Sequence, residues 1–314
     1  MKFDENTRLW TVTHTKEFKP FAKYLLNPRK HRHFMEIYRF RQLKPFYPFD
    51  TSVFLSSFNL MLERCQKGER IFQDFGEDVG LFSFVIGENK PFVLVLPGGA
   101  YGDVCNFTEG FPVAARLNEL GYNAFVGQYR IGKKALFPNP QEDVSKILAY
   151  IFSHAKEWNV STEDYAMMGF SAGGQLAASF ATKNAGYPIY GCKAPSTLML
   201  AYPAIHMGTY MDRKIRKRIF GEHYNDSAVF DQYSVEKHID IDYPRTFVWQ
   251  CDQDNVVPYE NTLLLVEALK ANGVEYSHLE VKGETHGLGL GVGSVAEGWL
   301  EKAVSFWQKD KTKA

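Results

Sequence analysis

From residue 79 onward this 314-residue chain alternates short apolar runs with longer segments of helical periodicity. No other feature narrows its possible folds as far. The segments 79–86, 92–96, 124–129, 165–168, 197–202, 246–250 and 276–281 read as strands, most of them continuous in apolar, β-branched or aromatic residues. Residues 87–90, Gly-Glu-Asn-Lys, read as the turn between the first two. Segments 111–120, 141–158, 175–183 and 261–272 read as helices, and 299–308 closes the chain as another. In 141–158, for example, Val144, Ile147, Leu148 and Ile151 fall at helical spacing. Strands that are apolar throughout imply burial on both faces, and helices between them imply parallel crossovers. The expectation is an α/β fold: a mostly parallel, doubly wound central sheet flanked by helices. Ligands then gather outside the carboxyl ends of its strands.

Two regions break the alternation. Residues 1–70 are rich in aromatic and basic side chains and contain one strongly amphipathic helix. It begins at Asp50-Thr51-Ser52 and sets Val53, Phe54, Phe58, Met61, Leu62 and Cys65 on one face. This predicts an N-terminal helical extension packed on a main domain of residues 71–314. The second exception lies between Pro203 and Tyr243, too long for a plain loop. It reads as a small helical cap-like insertion over about 204–242. Within it, 211–220 looks helical, with Ile215 and Ile219 one turn apart among Arg213, Lys214, Arg216, Lys217 and Arg218. Such a cluster is either a solvated helix face or a cap that draws anionic substrates.

Charge excludes some partners. With 36 basic and 36 acidic residues, the chain has no net field to attract nucleic acid or an anionic membrane. No apolar run is long enough to span a bilayer. The opening Met1-Lys2-Phe3-Asp4-Glu5-Asn6 lacks the apolar core of a signal peptide, so a cytoplasmic location is expected. Cys65, Cys105, Cys192 and Cys251 show no metal-ligand spacing and are expected as thiols. The composition is compatible with a homo-oligomer.

Chemistry enters at Gly169-Phe170-Ser171-Ala172-Gly173, a G-x-S-x-G pattern between an apolar strand and a small-residue helix. By chance the pattern occurs roughly 0.1 times per chain of this size, so its context carries the weight. Strand, tight turn and helix form the setting that lifts a serine hydroxyl clear of the backbone. That hydroxyl needs a base near neutral pH, and a histidine base needs a carboxylate to orient it. His286, in a glycine-rich loop after the last strand, is the histidine that comes late enough in the chain. The loop after 246–250 offers Asp252 and Asp254. Asp254 lies deeper and is pinned by Val256-Val257-Pro258, whereas Asp252 reads as a turn cap. The turn Pro97-Gly98-Gly99-Ala100-Tyr101-Gly102 suits an oxyanion hole, with the N–H groups of Gly99 and Ala100 facing that of Ala172. Tyr101 is a candidate wall of the acyl pocket and His206 a candidate pocket residue. His31 and His33, in a basic stretch, read as solvated.

Taken together, Pro97–Tyr101, Gly169-Phe170-Ser171-Ala172-Gly173-Gly174, Tyr202-Pro203, Asp254–Pro258 and His286-Gly287-Leu288-Gly289-Leu290 resemble the α/β-hydrolase superfamily. The branch they resemble is the bacterial esterase/lipase group, related to hormone-sensitive lipase and to acetyl-xylan-type carbohydrate esterases. The likeness runs from about residue 79 to the C-terminus. It implies an α/β-hydrolase fold with Ser171 as nucleophile, Asp254 and His286 as its partners, and Gly99, Ala100 and Ala172 as oxyanion donors. It also implies a cofactor-independent, metal-free serine carboxylesterase acting on small-molecule esters with short acyl groups, acetylated sugars among them. Many members of the group begin the first motif with histidine where this chain has Pro97, a departure shared by the carbohydrate-esterase-like members. Two other readings use the same residues: a serine peptidase of prolyl-oligopeptidase type, and a non-catalytic binding protein that keeps the fold.

Overall fold

Continuous apolar runs have only one stable place, the centre of a sheet covered on both sides. The computed structural model, which describes residues 2–26, 36–283 and 285–309, puts them there. Eight strands form one sheet in the order β1-β2-β4-β3-β5-β6-β7-β8. They are β1 (Phe72–Gly76), β2 (Val79–Phe84), β3 (Lys90–Leu96), β4 (Asn123–Gln128), β5 (Val160–Phe170), β6 (Thr197–Ala201), β7 (Arg245–Cys251) and β8 (Tyr276–Val281). From β4 across to β8 every pairing is parallel, while β1 and β2 are antiparallel additions.

Two features of the sheet go beyond what the sequence implied. The runs at 79–86 and 92–96 do not become neighbours across the turn at 87–90. β4 inserts between them, antiparallel to β2 and parallel to β3. The second is β1, absent from the sequence reading. It is an edge strand in which only Phe72 is buried, so it offers no continuous apolar run.

The side-chain alternation of the central strands divides the core into two layers. Val93, Val95, Ala166, Met168 and Trp249 point to one side. There they meet helices α2 (Ser52–Gln66), α3 (Phe111–Glu119) and α9 (Trp299–Gln308). Leu94, Leu96, Met167, Leu198, Leu200 and Val248 point to the other. That layer holds α4 (Asn139–His154), α5 (Ser171–Phe180) and α8 (Glu260–Ala271). The N-terminal residues, including the short α1 (Leu9–Thr13), join the first layer through an aromatic seam. Phe107 lies with its ring 4.1 Å from Phe54 and 5.8 Å from Phe58, and Phe21 meets Phe82 edge-on at 5.4 Å. Asp50 N–H donates to the Val292 carbonyl at 2.7 Å, tying this extension to the loop that follows His286.

The 203–243 stretch forms two short helices, α6 (Arg213–Phe220) and α7 (Ser227–Tyr233). α6 starts at Arg213 and not at 211, because the Asp212 carboxylate caps it by accepting from Lys214 N–H. Ile219 and Phe220 are buried beneath it, and most of its cations face outward. Arg218 turns inward instead and donates to the carbonyl of Ala100. Among the described residues no helix is long and apolar enough to cross a membrane. His31 and His33 lie outside the described residues.

Candidate active site

Side chains at the carboxyl ends of parallel strands meet along one edge of the sheet. β5 ends at Phe170 and α5 begins at Ser171 with no residue to spare. The reversal forces Ser171 to φ +51°, a left-handed conformation that L-residues adopt rarely. It also presses α5 against the end of β3. A Cβ on Gly173 would stand 2.1 Å from the Leu96 carbonyl oxygen and 2.4 Å from that of Pro97. Gly173→Ala is therefore expected to cost about 1–3 kcal/mol by overpacking and to depress activity by displacing the turn. Thermal melts and rates that match the unmodified protein would refute this.

Asp254 lies three residues past β7, and His286 in the loop past β8. His286 Nε2 is 2.9 Å from Ser171 Oγ, and His286 Nδ1 is 2.7 Å from Asp254 Oδ2. The Asp254 side chain is 0% exposed and that of His286 13%. Asp254 is held from two directions. Its Oδ1 accepts from the N–H groups of Val256 (2.8 Å) and Val257 (2.9 Å). Its Oδ2 accepts from Gln250 Nε2 at 3.2 Å, and Thr262 Oγ1 in turn donates to Gln250 Oε1 at 2.6 Å. Asp252 points elsewhere. It accepts from Gly283 N–H at 3.0 Å and from Lys282 Nζ at 2.9 Å, pinning the ends of β7 and β8 together. Those two donors, the amide first, hold its carboxyl below the usual range.

The turn after β3 runs through Gly99 (φ +126°), Ala100 (φ +53°) and Tyr101 (φ +55°). A Cβ on Gly99 would stand 2.4 Å from the Asp103 carbonyl oxygen, so only glycine fits. The turn abuts the nucleophile: a Cβ built on Gly98 would stand 2.9 Å from Ser171 Cβ. The Gly99 and Ala100 amides donate to no other group among the described residues, and Ala172 N–H sits in the open first turn of α5.

Tyr101 requires a correction. Its ring is 0% exposed and packs edge-on against Phe137 at 5.2 Å, while its O–H donates to Gln175 Oε1. A side chain sealed from solvent cannot wall an open acyl pocket. The left-handed backbone at residue 101 turns it into the core. His206 lies in the loop after β6, two residues beyond Ala204, whose N–H donates to the Ser171 carbonyl at 3.3 Å. Its Nδ1 is 2.7 Å from Glu236 Oε1. Among the described residues no three His, Cys, Asp or Glu side chains cluster as a metal would require.

One neighbour was not legible in the sequence. Glu109 is buried behind the Gly98 turn and accepts from Gly98 N–H at 2.7 Å and from the Tyr202 hydroxyl at 3.0 Å. Between Thr108 and Gly110 it reads only as an acid at a helix start, an ordinary surface position.

Comparison with known proteins agrees with this architecture. The BD-FAE family model matches residues 85–189, which include β3, β4, β5 and α5. Endo-1,4-beta-xylanase B of Butyrivibrio fibrisolvens is 30% identical over 72% of this chain and 37% of its own length. Acetylxylan esterase of Xylanibacter ruminicola is 28% identical over 69% of this chain and 45% of its own. The chain thus spans less than half of either relative. The crystal structure of an acetyl ester-xyloside bifunctional hydrolase from Caldicellulosiruptor lactoaceticus is 28% identical, with a TM-score of 0.66 over 74% of this chain and 88% of that one. The carboxylesterase Cest-2923 from Lactobacillus plantarum, at 19% identity and a TM-score of 0.64, shares the fold over 78% of this chain and 97% of its own. The chain has the α/β-hydrolase fold. Within that superfamily its sequence is similar to the esterase/lipase group, on the side of the carbohydrate esterases.

Proposed function

We propose that this chain is a serine carboxylesterase that removes short acyl groups, acetyl on sugars among them, through an acyl-enzyme. The supporting observation is the unbroken line from Ser171 Oγ to His286 Nε2 (2.9 Å) and from Nδ1 to Asp254 (2.7 Å). In this reading His286 takes the Ser171 proton as Oγ attacks the ester carbonyl. The Gly99, Ala100 and Ala172 amides receive the oxyanion, each such donor being worth about 100- to 1000-fold in rate. Asp254 keeps the proton on Nδ1 and stabilises the imidazolium. His286 then protonates the leaving alcohol, and water, deprotonated by the same imidazole, releases the acid. No step needs a metal or cofactor.

Short-acyl and sugar-ester preference rests on likeness to an acetylxylan esterase and to an acetyl ester-xyloside hydrolase. His206, partly exposed beside the turn at Ser171, is the side chain we expect at the pocket rim. The test is a fluorophosphonate probe with mass mapping, followed by p-nitrophenyl esters of rising chain length and acetylated xylo-oligosaccharides. Labelling at Ser171 is expected, with kcat/KM for acetate at least about tenfold above that for octanoate, a pocket discriminating by a few methylenes. Preference for octanoate would overturn the short-acyl reading. Aminoacyl amides cleaved faster than esters would favour the peptidase reading.

A further inference from the structure

We infer that Glu109, acting with Tyr202, is a positioning residue that locks the oxyanion turn and the histidine loop into one unit. The inference rests on the esterase reading above.

The geometry is a chain of donors and acceptors crossing three strand ends. Glu109 Oε2 accepts from Gly98 N–H (2.7 Å) in the turn after β3, and Oε1 from the Tyr202 hydroxyl (3.0 Å) at the end of β6. That hydroxyl oxygen accepts from Gly289 N–H (3.1 Å) in the loop carrying His286. Gly289 is also held on its other side, where Trp299 Nε1 donates to its carbonyl at 2.9 Å. The Tyr202 ring lies 4.6 Å from the His286 ring. With its N–H taken by Glu109, Gly98 is fixed against Ser171, and the next two amides keep a single orientation.

Burying a carboxylate is costly without compensation, yet no Lys or Arg pairs with Glu109 among the described residues. A chain that wanted only a brace could use a neutral side chain. The groups facing Glu109 are Gly98 N–H, the Tyr202 hydroxyl and the His286 imidazole, with Tyr129 and Cys105 nearby. Among them the imidazole is the one that becomes cationic during catalysis, so the buried carboxylate adds a second negative charge, behind Asp254, that favours it. Burial, the largest influence, leaves the carboxyl of Glu109 above its ordinary range, and Gly98 N–H, His286 and Tyr202 offset it only in part. It is the two acceptor contacts, from Gly98 N–H and the Tyr202 hydroxyl, that favour the ionised form.

The experiment compares Glu109→Gln, Glu109→Asp and Tyr202→Phe in the full chain. It reads kcat, KM and the pH dependence of kcat/KM on p-nitrophenyl acetate, the rate of fluorophosphonate labelling, and thermal melting. Glu109→Gln is expected to melt cooperatively yet lose about 10- to 100-fold in kcat, the cost of misplacing reacting groups by a fraction of a bond length. KM should stay within about threefold, and the acid-side limb of kcat/KM should move to lower pH, the direction expected when a nearby negative charge is removed. Glu109→Asp, which keeps the charge, should restore the limb, and Tyr202→Phe should lose about tenfold in kcat with the limb in place. A folded Glu109→Gln with unchanged kcat, limb and labelling rate overturns the inference. If Glu109→Gln does not fold, Tyr202→Phe decides, and wild-type kcat there overturns it. An unmodified chain that labels without hydrolysing esters would sink the esterase reading alone, and the labelling rates would then test the brace. A chain that does neither sinks both.

Discussion

Ser171→Ala is expected to lower kcat on p-nitrophenyl acetate by about 10⁶-fold, the loss seen when a serine hydrolase forfeits its nucleophile. The hydroxyl is hydrogen-bonded to His286 Nε2 at 2.9 Å, and among the described residues no other hydroxyl or thiol is hydrogen-bonded to that imidazole. On the proposed mechanism, what should survive is the contribution of the oxyanion donors and of binding, about 10³- to 10⁴-fold over water. Folding should not suffer. Alanine keeps the Cβ and already adopts φ +53° at position 100 of this molecule, so the melt should stay within about 0.5 kcal/mol. The loss is then chemical and not structural. Labelling by fluorophosphonate should vanish with it. Turnover above about 1% of wild type, far beyond the residual expected without a nucleophile, would move that role to another residue.

The centre of the fold was legible because burial on both faces leaves a mark in composition. Residues 92–96, 124–126 and 198–201 are buried without a break, and each reads as an uninterrupted apolar run. The edges leave no such mark. In β1 Phe72 is buried and the next position is not, a pattern shared with many loops. Strand order was not legible either. The turn at 87–90 looks like a link between adjacent strands, but pairing is decided by whichever strand fills the gap. Here Phe125 and Val126 of β4 fill it and separate β2 from β3.

The candidate site divides in the same way. Groups that protrude from strand ends could be found by chain order alone, since parallel crossovers bring successive carboxyl ends to one edge. Ser171, Asp254 and His286 meet there. Groups that work from beneath could not. Glu109 looks like a surface acid, and the reason for its burial lies in Gly98 and Tyr202, distant in the chain. Tyr101 fails in the opposite direction. Its place in the motif suggested a pocket wall, but three successive positive φ values turn its ring into the core.

Asp254→Asn against Asp252→Asn is the sharpest discrimination the loop after β7 allows. Asparagine at 254 can still accept from the Val256 and Val257 amides through its oxygen, so the loop should hold its shape. Its amide nitrogen then faces His286 Nδ1 where a carboxylate oxygen stood, and also faces the Gln250 donor. An N–H directed at Nδ1 selects the tautomer that carries its proton on Nε2. That tautomer has no lone pair for the Ser171 proton. The expected result is a fall in kcat of about 10⁴-fold, as for the corresponding change in the serine-protease template. At about 1.36 kcal/mol per decade this is a barrier increase of about 5.5 kcal/mol. Asp252→Asn should cost less than about threefold, because its oxygen can keep the Gly283 bond and only an exposed pairing with Lys282 is lost. Measuring both on the same ester, with melts alongside, separates the roles. A large loss at 252 with a small one at 254 would transfer the carboxylate's part to Asp252, and the 2.7 Å contact of Asp254 with His286 would then be structural.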